Sequence, residues 1–199
     1  MLRSKVIYAR HKIQGTLIKI VHHEQGSFMV LEINSSYEVD MTSDYMKEVE
    51  SRLAERGMSI PEAMAPAANY VPFKIAGNAL YVSGQLPAAD GNMVKGICGD
   101  NISTDDAAKG AELCALNILA QAKAAVGDLD KLEGLTKLVG FVASTPEYGE
   151  QPAVVNGASN FMVEILGDRG RHARSAVGMS SLPFGVTVEV EAIFELNAD

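Results

Sequence analysis

Apolar residues first recur at helical spacing at Tyr45, Met46, Val49 and Leu53, which predicts a helix over about 44–57. Thr42 or Ser43 stands at its N-cap and Gly57 at its stop. A Pro/Ala-rich connector, "SIPEAMAPAANY", follows. The run "YVPFKIAGNALYVSG" then reads as a hairpin, two β-rich segments around Ala76-Gly77-Asn78. "QLPAADGNMVKGICGD" is dense in turn residues and is expected to be a loop. The longest helical pattern is "STDDAAKGAELCALNILAQAKAAVGD". Ser103 or Thr104 caps it, Asp105 and Asp106 complement its dipole, and Gly127 ends it. Ala107, Ala111, Cys114 and Ile118 give that helix a buried stripe, so Cys114 is expected in the core.

Downstream, "LTKLVGFVAS" reads as a strand, "QPAVVNGASNFMVEILG" as a helix closed by Gly167, and "ARSAVGMSSL" as a strand. The last run, "GVTVEVEAIFEL", alternates with period 2. Val186, Val188, Val190 and Phe194 are expected on one face, and Thr187, Glu189, Glu191 and Glu195 on the other. The order after the first helix is β-β-α-β-α-β-β. That order predicts an α+β fold, a mixed sheet with helices packed on one face.

Residues 41–199 are expected to form a single domain. Residues 1–40 differ in character: the first 23 hold Arg3, Lys5, Arg10, Lys12 and Lys19 and no acid. They are expected to be a poorly ordered extension upstream of a natural start at Met41. Organellar targeting by residues 1–23 is the alternative.

Composition narrows the function classes. The chain has 199 residues, 47% of them hydrophobic, and no run of 18 apolar residues, so no membrane span is expected. A net charge of -8 argues against broad nucleic-acid binding, which needs a surplus of Lys and Arg on one face. Cys98 and Cys114 form no CxxC pair, and His11, His22, His23 and His172 do not give metal-ligand spacing with them. Two reduced, buried thiols in a cytoplasmic protein are expected.

Against that acidity, "RGRHARSAVG" packs three arginines and a histidine into six positions, 169–174. Arg174 sits where this loop meets a predicted strand, a place from which a planar guanidinium can hold a carboxylate or phosphate bidentately. Arg169, Arg171 and His172 read as solvated loop residues. Glu189 and Glu191 share one face of the last strand, and either carboxylate could act as a base or orient a water if its surroundings raised its pKa. Ser83 and Gly84, at an abrupt strand end, could offer a hydroxyl and a close backbone approach. "GNMVKGICGD" lacks phosphate-loop spacing.

Three segments, "YVSGQLP", "VVNGAS" and "ARSAVGMSSLPFGVTVEVEAIFE", occur in order and together resemble the RidA/YjgF family of reactive imine and enamine deaminases, from about Tyr70 to Glu195. The resemblance implies a chorismate-mutase-like fold and a homotrimer with sites in the clefts between subunits. It places the carboxylate-binding arginine on Arg174 and the water-positioning or proton-transferring glutamate on Glu189. It also places an aromatic wall on Tyr70, and backbone and polar contacts on Ser83, Gly84 and Asn156. The implied reaction is hydrolysis of a 2-imino or 2-enamino acid to a 2-oxo acid and ammonia, with no metal or organic cofactor. Alternatives on the same fold are a non-catalytic binder of small carboxylates and an endoribonuclease. Relatives commonly carry Cys where this chain has Ala176 and Pro where it has His172, and the helix and connector over 44–69 precede the point where shorter members begin.

Overall fold

In the computed structural model, the described residues are the backbone of Lys12–Ile13, Thr16–His22 and Phe28–Ile33 and, with side chains, residues 43–65 and 69–197. The first three stretches are strands β1, β2 and β3 of an antiparallel meander in the order β1-β2-β3. The expectation of a poorly ordered extension had placed no element there. Residues 1–11, on which much of the targeting alternative falls, lie outside the described residues.

The remaining elements follow the predicted order. Helix α1 (Asp44–Glu55) begins at Ser43, whose Oγ accepts from Met46 N–H at 3.0 Å. Ser43 also donates, through its own N–H and its hydroxyl, to the two carboxylate oxygens of Asp128. Strands β4 (Phe73–Ala76) and β5 (Ala79–Gln85) form the expected hairpin over Gly77-Asn78. The expected loop that follows contains an element the sequence reading passed over. Strands β6 (Ala88–Ala89) and β7 (Asn92–Met93) pair across Asp90 and Gly91, both at positive φ, the geometry of a two-residue hairpin turn. Helix α2 (Thr104–Val126) is capped by Ser103 and ends at Gly127. Strand β8 (Leu132–Ala143), helix α3 (Gln151–Leu166), strand β9 (Ala173–Met179) and strand β10 (Val188–Leu196) complete the chain.

One five-stranded sheet runs β4-β5-β10-β8-β9, antiparallel except for the β8–β9 pair. Val188, Val190, Ala192 and Phe194 of β10 and Leu138 and Val142 of β8 are fully or almost fully buried on the face that α2 and α3 cover. Cys114, Ile118, Val155 and Met162 of the helices pack in the same core, as expected for Cys114. The alternation of β10 holds from Val188 onward, but Thr187 departs from it. It precedes the strand and is buried, with its N–H on Val94 O, its carbonyl accepting from Ala143 N, and its hydroxyl 3.7 Å from Cys98 Sγ.

Helix α1 closes the end of α3. Tyr45 Oη and Arg52 Nη1 donate to the carbonyls of Leu166 and Ile165, which have no partner within their own helix. Helices α2 and α3 meet at Gly157, where a Cβ would overlap the Ala108 carbonyl. This close approach sets the distance between the two helices. Gly157→Ala is therefore expected to lower stability by about 1–3 kcal/mol through overpacking, read as a lower urea midpoint with little change in slope; an unchanged midpoint would contradict the contact.

Candidate functional site

Arg174 is the second residue of β9, after a short helical turn over Gly167–Gly170. In the parallel register it pairs with Leu138, so its side chain leaves the sheet on the helix-covered face. There it meets Asn156 and Ser159, three apart on one face of α3. Nη1 of Arg174 donates to Asn156 Oδ1 at 2.8 Å and to Ser159 Oγ at 3.1 Å. Both protons on Nη1 are thereby used, and among the described residues nothing engages Nη2 or Nε.

Arg174 differs in this from every other described arginine. Arg52 pairs with Glu48, Arg56 with Glu112 and Glu164, Arg169 with Asp130, and Arg171 with Asp168. Arg169 also lies over the Tyr45 ring, 4.0 Å from its centroid, and donates to Leu132 O. The basic cluster thus divides into two arginines neutralised within the fold and one whose partners are neutral oxygens.

His172 departs from its expected solvated state. It is partly buried, and both ring nitrogens are bonded: Nδ1 lies 2.6 Å from Gly170 O and Nε2 3.0 Å from Ser159 Oγ. Burial pushes its pKa below the ordinary value, the hydrogen bond to Gly170 works in the opposite direction, and the charge of Arg174 lowers it further.

Glu189 lies on β10 opposite Phe141 of β8, between the buried Val188 and Val190, and so faces away from the helices. Gly84 of β5 lies against it. A Cβ at position 84 would overlap the Glu189 carboxylate. Burial raises the Glu189 pKa, and the like charge of Glu191 on the same face adds to the rise. Ser83 lies two residues before the end of β5, with its N–H on Pro72 O and its Oγ donating to Val71 O, each at 2.9 Å. Gln85 Nε2 braces the turn by donating to the Ser83 carbonyl. Tyr70, adjacent to Val71, is 50% exposed.

The candidate residues therefore fall into two groups. Arg174 and Asn156 are on the helix-covered face at the β9 edge; Glu189 and Gly84 are on the opposite face, with Ser83 and Tyr70 toward the β4 side. Strand β8 lies between β9 and β10, so the two groups are separated by roughly 10 Å of sheet as well as by its thickness. One chain does not bring them together. A separate open depression of about 490 Å³ lies at the start of β8 and β9, lined by Glu133, Thr136, Asp168, Arg171, His172 and Glu195 among others. It includes neither Arg174 nor Glu189. Ser159 was missed as a site residue, although its spacing from Asn156 in "VVNGAS" is the signal that could have found it. Among the described residues, no group of three His, Cys, Asp or Glu side chains could hold a metal, and no helix is long and apolar enough to cross a membrane.

A raised carboxyl pKa in the folded state means that folding disfavours the ionised form. The resulting penalty is absent below the unfolded value and grows as pH rises through the folded one. Glu189→Gln is expected to raise the urea midpoint at pH 7, with the gain vanishing below about pH 4. A midpoint at pH 7 equal to or below that of the unsubstituted chain would refute the strained carboxylate.

Comparison with known proteins bears on this arrangement. Residues 50–196 match the family described as "YjgF/chorismate_mutase-like, putative endoribonuclease". Protein TCP17 of Trypanosoma cruzi is 44% identical over 151 residues, covering 75% of this chain and 94% of that one. The crystal structure of Atu1372 from Agrobacterium tumefaciens, a protein of unknown function, is 53% identical, covers 77% of this chain and 96% of its own, and superposes with a TM-score of 0.72. A structure from Shewanella oneidensis described as a "putative endoribonuclease" is 32% identical, covers 74% and 99%, and also gives 0.72. The chorismate-mutase-like sheet, the ordered motifs along it and the extent of these matches lead to one conclusion: the chain belongs to the RidA/YjgF family.

Proposed function

We propose that the protein hydrolyses small 2-imino and 2-enamino acids to 2-oxo acids and ammonia. The observation that carries this reading is Arg174: a guanidinium held by two neutral oxygens, with no carboxylate partner among the described residues and its Nε/Nη2 edge uncommitted. Two parallel N–H donors suit a carboxylate. Arg169 and Arg171 are already matched by acids, which favours a single small anion over a polyanion such as RNA.

In the proposed reaction, Arg174 fixes the substrate carboxylate and so orients the adjacent C=N carbon. Glu189, its proton affinity raised by burial and Glu191, accepts a proton from a water that attacks that carbon. The C–O bond forms as the C=N π pair moves to nitrogen, which takes the proton from Glu189 and restores its carboxylate. Glu189 then accepts the carbinolamine hydroxyl proton and passes it to the amine nitrogen, so that the C–N bond breaks as the C=O forms and ammonia leaves. An enamine enters by protonation at its β carbon. Since imines hydrolyse unaided, positioning and proton transfer are sufficient sources of acceleration.

Arg174 and Glu189 face opposite ways in one chain, so this chemistry needs Arg174 of one copy and Glu189 of another. The sheet face without helices carries Tyr81, Val177 and Met179, each at least 38% exposed. These exposed apolar side chains, on β5 and on β9, favour self-association, and the homotrimer implied by the family resemblance is the closed ring in which each cleft would receive one group from each neighbour.

The test is to generate 2-iminobutyrate in situ with a dehydratase and follow 2-oxobutyrate. The protein is expected to accelerate its formation. Arg174→Ala should lose about 100-fold in kcat/KM, chiefly through KM, and Glu189→Gln about 100-fold in kcat. No acceleration by the unsubstituted protein, or full activity in Arg174→Ala, would overturn the reading. Binding of 2-oxobutyrate without turnover would identify a carboxylate-binding protein instead. Refolding the two inactive variants together in equal amounts should restore about a quarter of the activity if each site draws its arginine and its glutamate from different copies; no recovery would refute the shared site.

A further inference from the structure

We propose that Ser159 and His172 are positioning residues for Arg174, and that they make its hold on a carboxylate weaken on acidification. The inference rests on the reading of Arg174 as the carboxylate-binding group.

With the His172 ring neutral, the geometry leaves one way to place the protons. A guanidinium only donates and a carbonyl only accepts. The Arg174 Nη1–H therefore donates to Ser159 Oγ, and the Gly170 carbonyl must receive a proton from His172 Nδ1. Nδ1 then carries the ring proton and Nε2 is bare. The Ser159 hydroxyl, with a donor already on its oxygen, turns its proton to Nε2 at 3.0 Å. A directed chain results: Arg174 to Ser159, Ser159 to His172, His172 to the backbone. Together with Asn156 it occupies both Nη1 protons. The guanidinium plane is thereby locked before any ligand arrives, leaving the Nε/Nη2 edge to meet the carboxylate, and less side-chain freedom is lost on binding.

Protonation of His172 reverses the middle link. Nε2 becomes a donor aimed at an oxygen that already accepts from Arg174, so the serine proton loses its acceptor. The other charged groups near the ring are Asp168, Arg169 and Arg171 in the preceding turn, and Glu133 and Glu195 on β8 and β10, which line the same depression. Asp168 is paired with Arg171, and Arg169 with Asp130. Arg174 is the charge that bears on the ring, and it opposes protonation together with burial. The neutral ring, and with it the intact chain, is therefore the state at neutral pH.

Titration calorimetry with 2-oxobutyrate provides the test, since its carboxylate stays ionised throughout the range and no turnover is needed. For the unsubstituted protein, Kd is expected to rise about threefold between pH 7.5 and about 5.5. In His172→Phe and in Ser159→Ala, Kd at about pH 7.5 should already be about fivefold weaker and change less than about twofold on acidification. Ser159→Thr, which keeps the hydroxyl, should restore both the affinity and the pH slope; if His172→Phe does not fold, the Ser159 pair decides alone. Wild-type Kd and slope in these variants, with binding lost in Arg174→Ala, would overturn this inference and leave the carboxylate reading intact. Full binding in Arg174→Ala, or none by the unsubstituted protein, would overturn the carboxylate reading and this inference with it.

Discussion

The structure depends on the two-sidedness of β10. Its even-numbered residues from Val188 to Phe194 are apolar and buried under the helices, and its odd-numbered positions include Glu189, Glu191 and Glu195. With β5 on one side and β8 on the other, this strand sets which face of the whole sheet is core. A shift of one residue would bury three carboxylates and expose the core, so the register is held strongly. Every other placement follows from it. Gly140, opposite Val190, leaves room for Val155 of α3, and the parallel pairing of β8 with β9 fixes which β9 side chains face that helix.

Local chemistry explains what could be read in advance. Ser43 and Ser103 cap their helices through hydroxyls that reach a backbone N–H three residues ahead, and Gly127 and Gly167 end theirs, all within one turn of chain. The alternation of β10 is equally local. Thr187 broke the pattern because a contact distant in sequence, the crossing of residues 94–98, buries it. The Asp90-Gly91 hairpin escaped notice because two strands of two residues each carry no periodicity. The strands between Lys12 and Ile33 were not expected, because the change in charge balance at Met41 marks residues 1–40 as an upstream extension.

The candidate site residues could be named from their types and motifs, but their mutual geometry could not. Whether Arg174 and Glu189 share a face depends on the pairing of β9 with β8 and of β8 with β10, a register that no stretch of sequence displays. The same holds for His172. In sequence it is one more polar residue in a basic loop. In the fold, the turn over Gly167–Gly170 brings its ring between a backbone carbonyl and a serine thirteen residues upstream. The arginines of that loop could not be told apart until their acids were located, Asp130 far upstream and Asp168 beside them.

The placement of Arg174 and Glu189 on opposite faces has a consequence for the single chain. Strand β8 is a partition between Arg174, which has no acid partner among the described residues, and Glu189, a half-buried acid whose pKa burial raises. Were the two on one face at neighbouring strands, they would quench each other as an internal ion pair, as Arg171 and Asp168 do. The sheet prevents that short circuit, and the chain emerges from folding with neither group spent on the other.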